Sequence, residues 1–246
     1  MKLLDLLGYR PNGDKGWVMD VAGRRVPVEL KPSPRARRIT LRADAAQGVI
    51  RISLHPRTSS ARALEMLETH HEWIAVRVAA WPVPSRFEPG AIVPIEGEEV
   101  VIDWSPQRPR SAIIESGRLR IGGPPDGLAG RVERALRAHA KTVLTAETRE
   151  MTAKIGKPIA AVTVRDTTSR WGSCTSTGCI AYSWRLILAP REVRRYVVAH
   201  EVAHLVHMNH SPAFWTVAEA LYDGDIGRPR RWLKRHGPSL HWIGRG

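Results

Sequence analysis

Val197-Val198-Ala199-His200-Glu201-Val202-Ala203-His204-Leu205-Val206-His207-Met208-Asn209-His210 is the stretch from which the rest of the chain can be read, because its first imidazoles bracket an acid in the order His-Glu-x-x-His. A helix turns about 100° per residue, so side chains four apart stand one turn above each other on the same face. His200 and His204 can therefore grip one ion. Glu201 leans over the adjacent edge of that face, where it can take a proton from a metal-bound water rather than bind the metal itself. His210 lies beyond the expected helix end at Asn209 and can fold back as the third ligand, leaving a fourth position for water. Glu219 on the following helix is the rival third ligand, with Asp223 and Asp225 as weaker candidates.

The apolar face of this helix carries Val193, Val197, His200 and His204 at the spacing i, i+4, i+7, i+11, which turns the histidines and the neighbouring acid toward the core. An unpaired acid there is costly, and a divalent ion, read here as Zn2+, is the economical partner. Pro190 suits the start of the helix, while Ser211-Pro212 suits the start of the next one, where Phe214, Trp215, Ala218 and Leu221 pack behind the metal.

The chain has 246 residues, 43% of them hydrophobic, which is enough to bury a substantial core and excludes a disordered chain. Its net charge of +14 fits a polyanionic partner such as nucleic acid, nucleotide or an acidic membrane surface, and fits equally a surface kept soluble by arginine. The apolar run after Met1 is interrupted at Asp5 and ends at Arg10-Pro11, too short for a signal peptide or membrane span, so a cytoplasmic protein is expected. Cys174 and Cys179 flank a turn-like Thr-Ser-Thr-Gly and are expected to face each other across a hairpin as free, buried thiols.

The first half reads as β-rich. Residues 26–30, 38–42 and 49–54 alternate apolar with polar and are expected to form half-buried antiparallel strands. From Thr58 to Trp81 the period becomes helical, and Pro82 and Pro84 stop it. Short strands return at 92–95, 100–104, 112–115 and 119–121, and no internal sequence repeat stands out. Gly122-Gly123-Pro124-Pro125-Asp126-Gly127 is the boundary signal, which divides the chain into a β-rich region with one helix over residues 1–125 and a metal domain over residues 126–246.

Beyond it a long amphipathic helix is expected over about residues 128–154, then a strand at 161–164 and a continuous apolar strand from Ile180 to Leu188, placed to pair with an extended substrate. Arg228 to Gly237 reads as a short basic helix that stops at its glycine, with Trp232 packed inward.

Ser169-Arg170-Trp171-Gly172-Ser173-Cys174, Trp184-Arg185-Leu186-Ile187-Leu188-Ala189-Pro190, the His200 to His204 motif, Asn209-His210-Ser211 and Phe214-Trp215 occur in that order, and in them the chain resembles the YgjP-like metallopeptidase-domain family, related to the SprT and WLM zincins. The likeness extends from about Arg35 to Trp232. It implies a zincin-type core with His200, His204 and His210 on zinc and Glu201 as base, and it places Arg170 and Trp171 near the site as candidate substrate contacts. Ser183 departs from the asparagine more often found in the family before Trp184.

The expectation is an α+β protein, a β-rich N-terminal half followed by a zincin-like metallohydrolase domain, acting as a zinc-dependent hydrolase of the metallopeptidase kind on a peptide. A nucleotide pyrophosphohydrolase of the UTP type could use the same metal site on a nucleoside triphosphate. A nonenzymatic basic adaptor would keep the zinc for structure alone.

Overall fold

The computed structural model describes residues 10–11 and 17–245, so most of the Met1 to Pro11 run lies outside the described residues. The chain is α+β, rich in strands in its N-terminal half and in helices beyond, and it forms two compact units, Met1–Val83 and Pro84–Gly246. The expected division at residues 125/126 falls inside the second unit, where the glycine-proline stretch joins a strand to a helix.

In the first unit a five-stranded sheet has the order β1-β2-β3-β5-β4, built from β1 (Arg10–Pro11), β2 (Trp17–Val21), β3 (Arg24–Pro32), β4 (Thr40–Asp44) and β5 (Val49–Leu54). Alternation in β3 and β5 sends Val26, Val28, Ile50, Ile52 and Leu54 into the core, where Leu67, Ile74 and Val78 of the helices are buried as well. The strands are not all antiparallel, as the alternation suggested. β3 runs parallel to β5, with Val28 opposite Ile50, because β4 is passed over before β5 inserts beside β3. That choice is non-local and leaves no mark on the alternation.

The expected single helix is two, α1 (Ser60–Thr69) and α2 (His71–Ala79). At the break the Thr69 hydroxyl donates to Glu65 O at 2.8 Å, and His70 Nδ1 lies 3.0 Å from Met66 O. Side chains that bond back to the preceding turn in this way compete with helix continuation.

The second unit opens with β6 (Ile92–Ile95), β7 (Glu98–Trp104), β8 (Ile113–Glu115) and β9 (Arg118–Ile121), ordered β6-β7-β9-β8. Its pairing is antiparallel, parallel, antiparallel, the same sequence of pairings that β2-β3-β5-β4 shows in the first unit. A topology is thus repeated without a repeat that the sequence reading detects. Residues 21–30 and 95–104 share the turn glycine and the valine three places on. The opening hairpins turn through Ala22-Gly23 (φ 50° and 69°) and Glu96-Gly97 (φ 56° and 93°), the two positive-φ residues of a tight hairpin turn.

α3 (Leu128–Ile155) follows, its stripe of Val132, Leu136, Ala140, Leu144 and Met151 fully buried. A three-stranded sheet then places β12 (Cys179–Ser183) between β10 (Ala161–Arg165) and β11 (Gly172–Cys174), parallel to the first and antiparallel to the second. The expected strand from Ile180 to Leu188 ends at Ser183, and Trp184–Leu188 is a 3-10 helix. Trp184, Leu186, Ile187 and Leu188 are all buried and only Arg185 among them reaches outward, to Asp166, and a buried apolar run of this length does not distinguish a strand from a buried helical turn. β12 is paired on both sides and has no free edge; β10 and β11 are the edge strands, and β11 is the one beside the histidine helix.

α4 (Arg191–Ala203), α5 (Pro212–Tyr222) and α6 (Gly227–Leu240) complete the unit. α6 runs through Gly237 instead of stopping there. That glycine is buried, and a Cβ on it would meet the Trp171 indole at 2.9 Å, so it serves close packing.

One charged cluster seats α4. Arg194 is 1% exposed and donates to both Glu147 oxygens of α3 at 3.0 and 2.8 Å and to Glu96 of the β6–β7 turn at 3.0 Å. Burial pushes the Glu96 carboxyl up, and its bonds with His139 and Arg194 outweigh that and hold it below the usual glutamate range. Arg194→Ala leaves a buried carboxylate unpaired and should destabilise the fold by about 3–5 kcal/mol in urea denaturation. Because the folded pKa of Glu96 is depressed, its contribution is present above the unfolded value of 4.5 and is lost as pH falls through the folded value, so the gap between wild type and Arg194→Ala should narrow on acidification below pH 4.5.

Candidate metal centre

α4 is built to carry buried side chains: Val193, Val197, Val198, Ala199, Val202 and Ala203 all lie in the core. Pro190, expected as its first residue, sits just outside as the N-cap. The helix ends at Ala203, earlier than the Asn209 end expected from the sequence, and His204 occupies its C-cap. Asn209 lies beyond that end, outside the helix. Its side chain accepts a bond from Ser211 N at 3.3 Å, and Ser211 in turn caps α5 by accepting from Phe214 N at 3.4 Å, with Pro212 in the first turn. Two consecutive caps thus hold His210 on a short connection.

This arrangement brings His200, His204 and His210 together, with one ring nitrogen of each within 4.8 Å of the others. Nε2 of His200 and Nε2 of His210 face each other at 3.1 Å. A tetrahedral zinc held at about 2.0–2.1 Å would separate its nitrogen ligands by about 3.3 Å, so the spacing fits such an ion. Phe214, fully buried, forms the floor: its ring centroid lies 5.0, 4.6 and 4.8 Å from those of His200, His204 and His210.

The protonation states fit as well. Burial, then the neighbouring His204, His210 and Arg230, push the His200 imidazole down to about 4. Burial also lowers His204, against the opposing bond to the His207 carbonyl. Neutral imidazoles are what a metal ion requires. His204 Nδ1 lies 3.1 Å from His207 O, and donating there leaves its Nε2 lone pair for the cluster. His200 Nδ1 is buried without a partner, so that ring finds its polar contacts through Nε2.

Glu201 is 5% exposed and stands beside the histidines on the wall of a cavity of about 360 Å³ that also includes Arg170, Ser173, Cys174 and Met208. Burial pushes its carboxyl up to about 7, with Arg170 pulling the other way. Gly172 opens β11 directly against it: a Cβ at Gly172 would lie 2.5 Å from Glu201 Cγ and 2.6 Å from Cδ. A glycine inside a strand is a sequence signal for such close approach, and it is the one signal by which this residue could have been singled out.

Of the remaining candidates, Arg170 and Trp171 border the site and the acids of α5 and the loop after it do not. Arg170 is exposed at the cavity rim, its carbonyl held by the Thr167 hydroxyl at 2.8 Å. Trp171 lines a neighbouring cavity together with His200, Glu201, Tyr196 and Leu233, and its ring is tilted against that of His241 at 5.2 Å, so it links the site to the end of the C-terminal helix. Glu219 is exposed on α5 and is outside the histidine group. Asp223 is the C-cap of that helix, and Asp225 accepts from Gly227 N at 2.7 Å. Cys174 and Cys179 are free, as expected, but only half-buried and exposed respectively, and the register sets Cys174 opposite Ile180 rather than opposite Cys179. Burial, then Glu201 and Cys179, push the Cys174 thiol up to about 11. A larger cavity, about 560 Å³, lies elsewhere between Arg110 and Arg134 and holds none of these groups.

Two histidines one turn apart at the end of a helix with a buried acid between them, a third on the connection that follows, and the edge of a mixed sheet beside them mark a metallopeptidase-like domain. The chain belongs to the family described as YgjP-like, metallopeptidase domain, whose sequence profile matches residues 37–236. Among solved structures it is similar to the metallopeptidase zymogen of Pyrococcus abyssi, abylysin, at 19% identity and a TM-score of 0.34, over 37% of this chain and 93% of that one. No curated protein matches. Among the described residues no helix is long and apolar enough to cross a membrane.

Gly172→Ala should cost about 1–3 kcal/mol, since the added methyl overlaps the Glu201 side chain and forces it or β11 to move. Thermal denaturation of the purified variant measures the cost, and an unchanged melting temperature would show that the strand gives way freely.

Proposed function

We propose that the chain is a zinc-dependent hydrolase of peptide bonds that works at the His200, His204 and His210 cluster with Glu201 as its proton-moving group. The observation that carries this reading is the convergence of three imidazole nitrogens within 4.8 Å beside a buried carboxyl that shares their cavity. The three histidines would hold the ion. When bound, zinc supplies Lewis acidity to polarise a scissile carbonyl and to bring the deprotonation of water toward neutral pH.

The protein's own residues supply the rest. Glu201, raised to about 7 by burial, is matched to accepting a proton on its carboxylate and passing it to the departing amine near neutrality. Gly172 leaves the space in which that carboxylate sits. Arg170 at the rim offers a guanidinium to charge that builds up on the substrate. β11 is paired on one side only, so its outer edge can take an extended substrate chain by strand addition. That role passes to Gly172–Cys174 from the Ile180 to Leu188 run, whose strand part is paired on both sides and whose remainder is a 3-10 turn.

Elemental analysis should give close to one zinc per chain, and His200→Ala, His204→Ala and His210→Ala should each reduce it sharply. Normal zinc content in His210→Ala, together with loss in Glu219→Ala, would reassign the third ligand. Glu201→Gln should keep zinc and melting temperature while losing most turnover, on the order of 100-fold or more. Wild type and Glu201→Gln are compared at equal zinc content on a mixed peptide library and on nucleoside triphosphates in parallel. Peptide cleavage lost in the variant supports the proposal, whereas diphosphate release lost in the variant replaces it with nucleotide hydrolysis.

A further inference from the structure

A second cavity of about 340 Å³ adjoins the histidine cavity and shares Arg170, Gly172 and Ser173 with it. Its floor is the outer face of the three-stranded sheet, the side away from buried Val162 and Ile180, where Ser173 stands opposite Ala181 and both side chains are small. Its wall is the 166–171 loop with Thr167 and Ser169, and Arg165, the last residue of β10, closes the far side.

The electrostatics of this cavity are one-sided. Among the described residues neither Arg165 nor Arg170 forms an ion pair, and the Ser169 and Ser173 hydroxyls make no intramolecular hydrogen bond. The acid nearest in sequence, Asp166, is committed elsewhere, to Arg185 at 2.8 Å and Arg137 at 3.2 Å. Two guanidiniums and two free hydroxyls around a concave space, with no carboxylate lining it, make an anion site.

Its position says which anion. A chain added to the outer edge of β11 would rise about 3.3 Å per residue and throw alternate side chains to opposite faces of the sheet. One set of those side chains passes over the face where Ser173, Arg165 and Arg170 stand. We propose that this cavity is a specificity subsite for the carboxylate of an aspartate or glutamate in a peptide laid along β11, close to the bond presented to Glu201. The inference rests on the peptide-hydrolase reading for its substrate and on the cavity for its charge preference.

The test measures binding and cleavage separately. In the binding arm, zinc-loaded Glu201→Gln protein is titrated into fluorescein-labelled peptides of one sequence with Glu, Gln or Lys scanned through each position, read by anisotropy. At one position the acidic peptide should bind about tenfold more tightly than its glutamine counterpart, with the gap closing as salt rises. Adding Arg165→Gln should abolish the gap, and adding Arg165→Glu should reverse it in favour of lysine; both changes are at an exposed strand end, and circular dichroism checks the fold. Equal affinities throughout, or a preference that neither Arg165 change moves, overturn the subsite. So does a nucleoside triphosphate whose binding depends on Arg165 while the peptides show no charge preference. In the cleavage arm, wild type that cuts all three peptide series at equal rates overturns the subsite and leaves the peptidase reading standing. Arg165-dependent acidic binding without cleavage of any peptide upholds the subsite and removes the peptidase reading.

Discussion

The second unit depends on one guanidinium. Arg194 reaches from α4 into a space where solvent cannot stabilise its charge, and there it joins three pieces of chain that are far apart in sequence: α4 itself, Glu147 on α3 and Glu96 in the β6–β7 turn. The planar fork fixes direction as well as distance, since both oxygens of Glu147 are engaged. An apolar contact would tolerate sliding of one helix along the other; this one does not. The orientation of α4, and hence of the imidazoles about two and three turns further along, is set from behind the site. The same turn reinforces the seating, with Glu96 N donating to Ile187 O at 2.7 Å and Gly97 set so close to Pro190 that a Cβ there would lie 3.2 Å from the proline Cα.

In front of the helix the constraint is reversed: charge is kept low so that nitrogens can converge. His200 and His204 are lowered by burial, and Phe214 gives all three rings an apolar floor without adding a competing donor. The acid of the motif is raised by the same burial that lowers its neighbours. One property of the environment, poor solvation, therefore moves the bases and the acid in opposite directions and brings both toward neutral forms. Arg170 and Arg165 stand outside this dry region, where their charge remains available to something arriving from solvent.

Features encoded at short range were legible before the fold was seen. The i, i+4 spacing of His200 and His204, the stripe that becomes α3 and the Ser211-Pro212 cap each depend on a few neighbouring residues, and each appears as expected. The connection that carries His210 is legible from the Ser211-Pro212 signal after it, whereas the helix before it ends six residues earlier than Asn209. What escaped was set by partners distant in sequence. The parallel pairing of β3 with β5 depends on which strand β4 leaves room for. The 3-10 turn at Trp184–Leu188 buries four of its five side chains, all but Arg185, and that near-enclosure removes the periodicity that would have named it. Gly172 stands in the sequence only as one residue of a motif, and Gly237 reads there as a helix stop. Each is instead a space left for a side chain from another element, Glu201 in one case and Trp171 in the other.

The repeated four-strand topology separates what a position must be from what it does. The first residue of the opening hairpin turn is held at positive φ in both copies, 50° at Ala22 and 56° at Glu96, and the glycine after it completes the reversal in each. The turn therefore dictates the backbone at this slot and leaves the side chain unspecified. In the first copy the slot holds a methyl group. In the second it holds the carboxylate that meets Arg194 and His139. A loop position whose conformation is already determined by its neighbours is a place where a charged group can be installed at little conformational expense, and the second copy has used it to anchor the helix that carries the histidines.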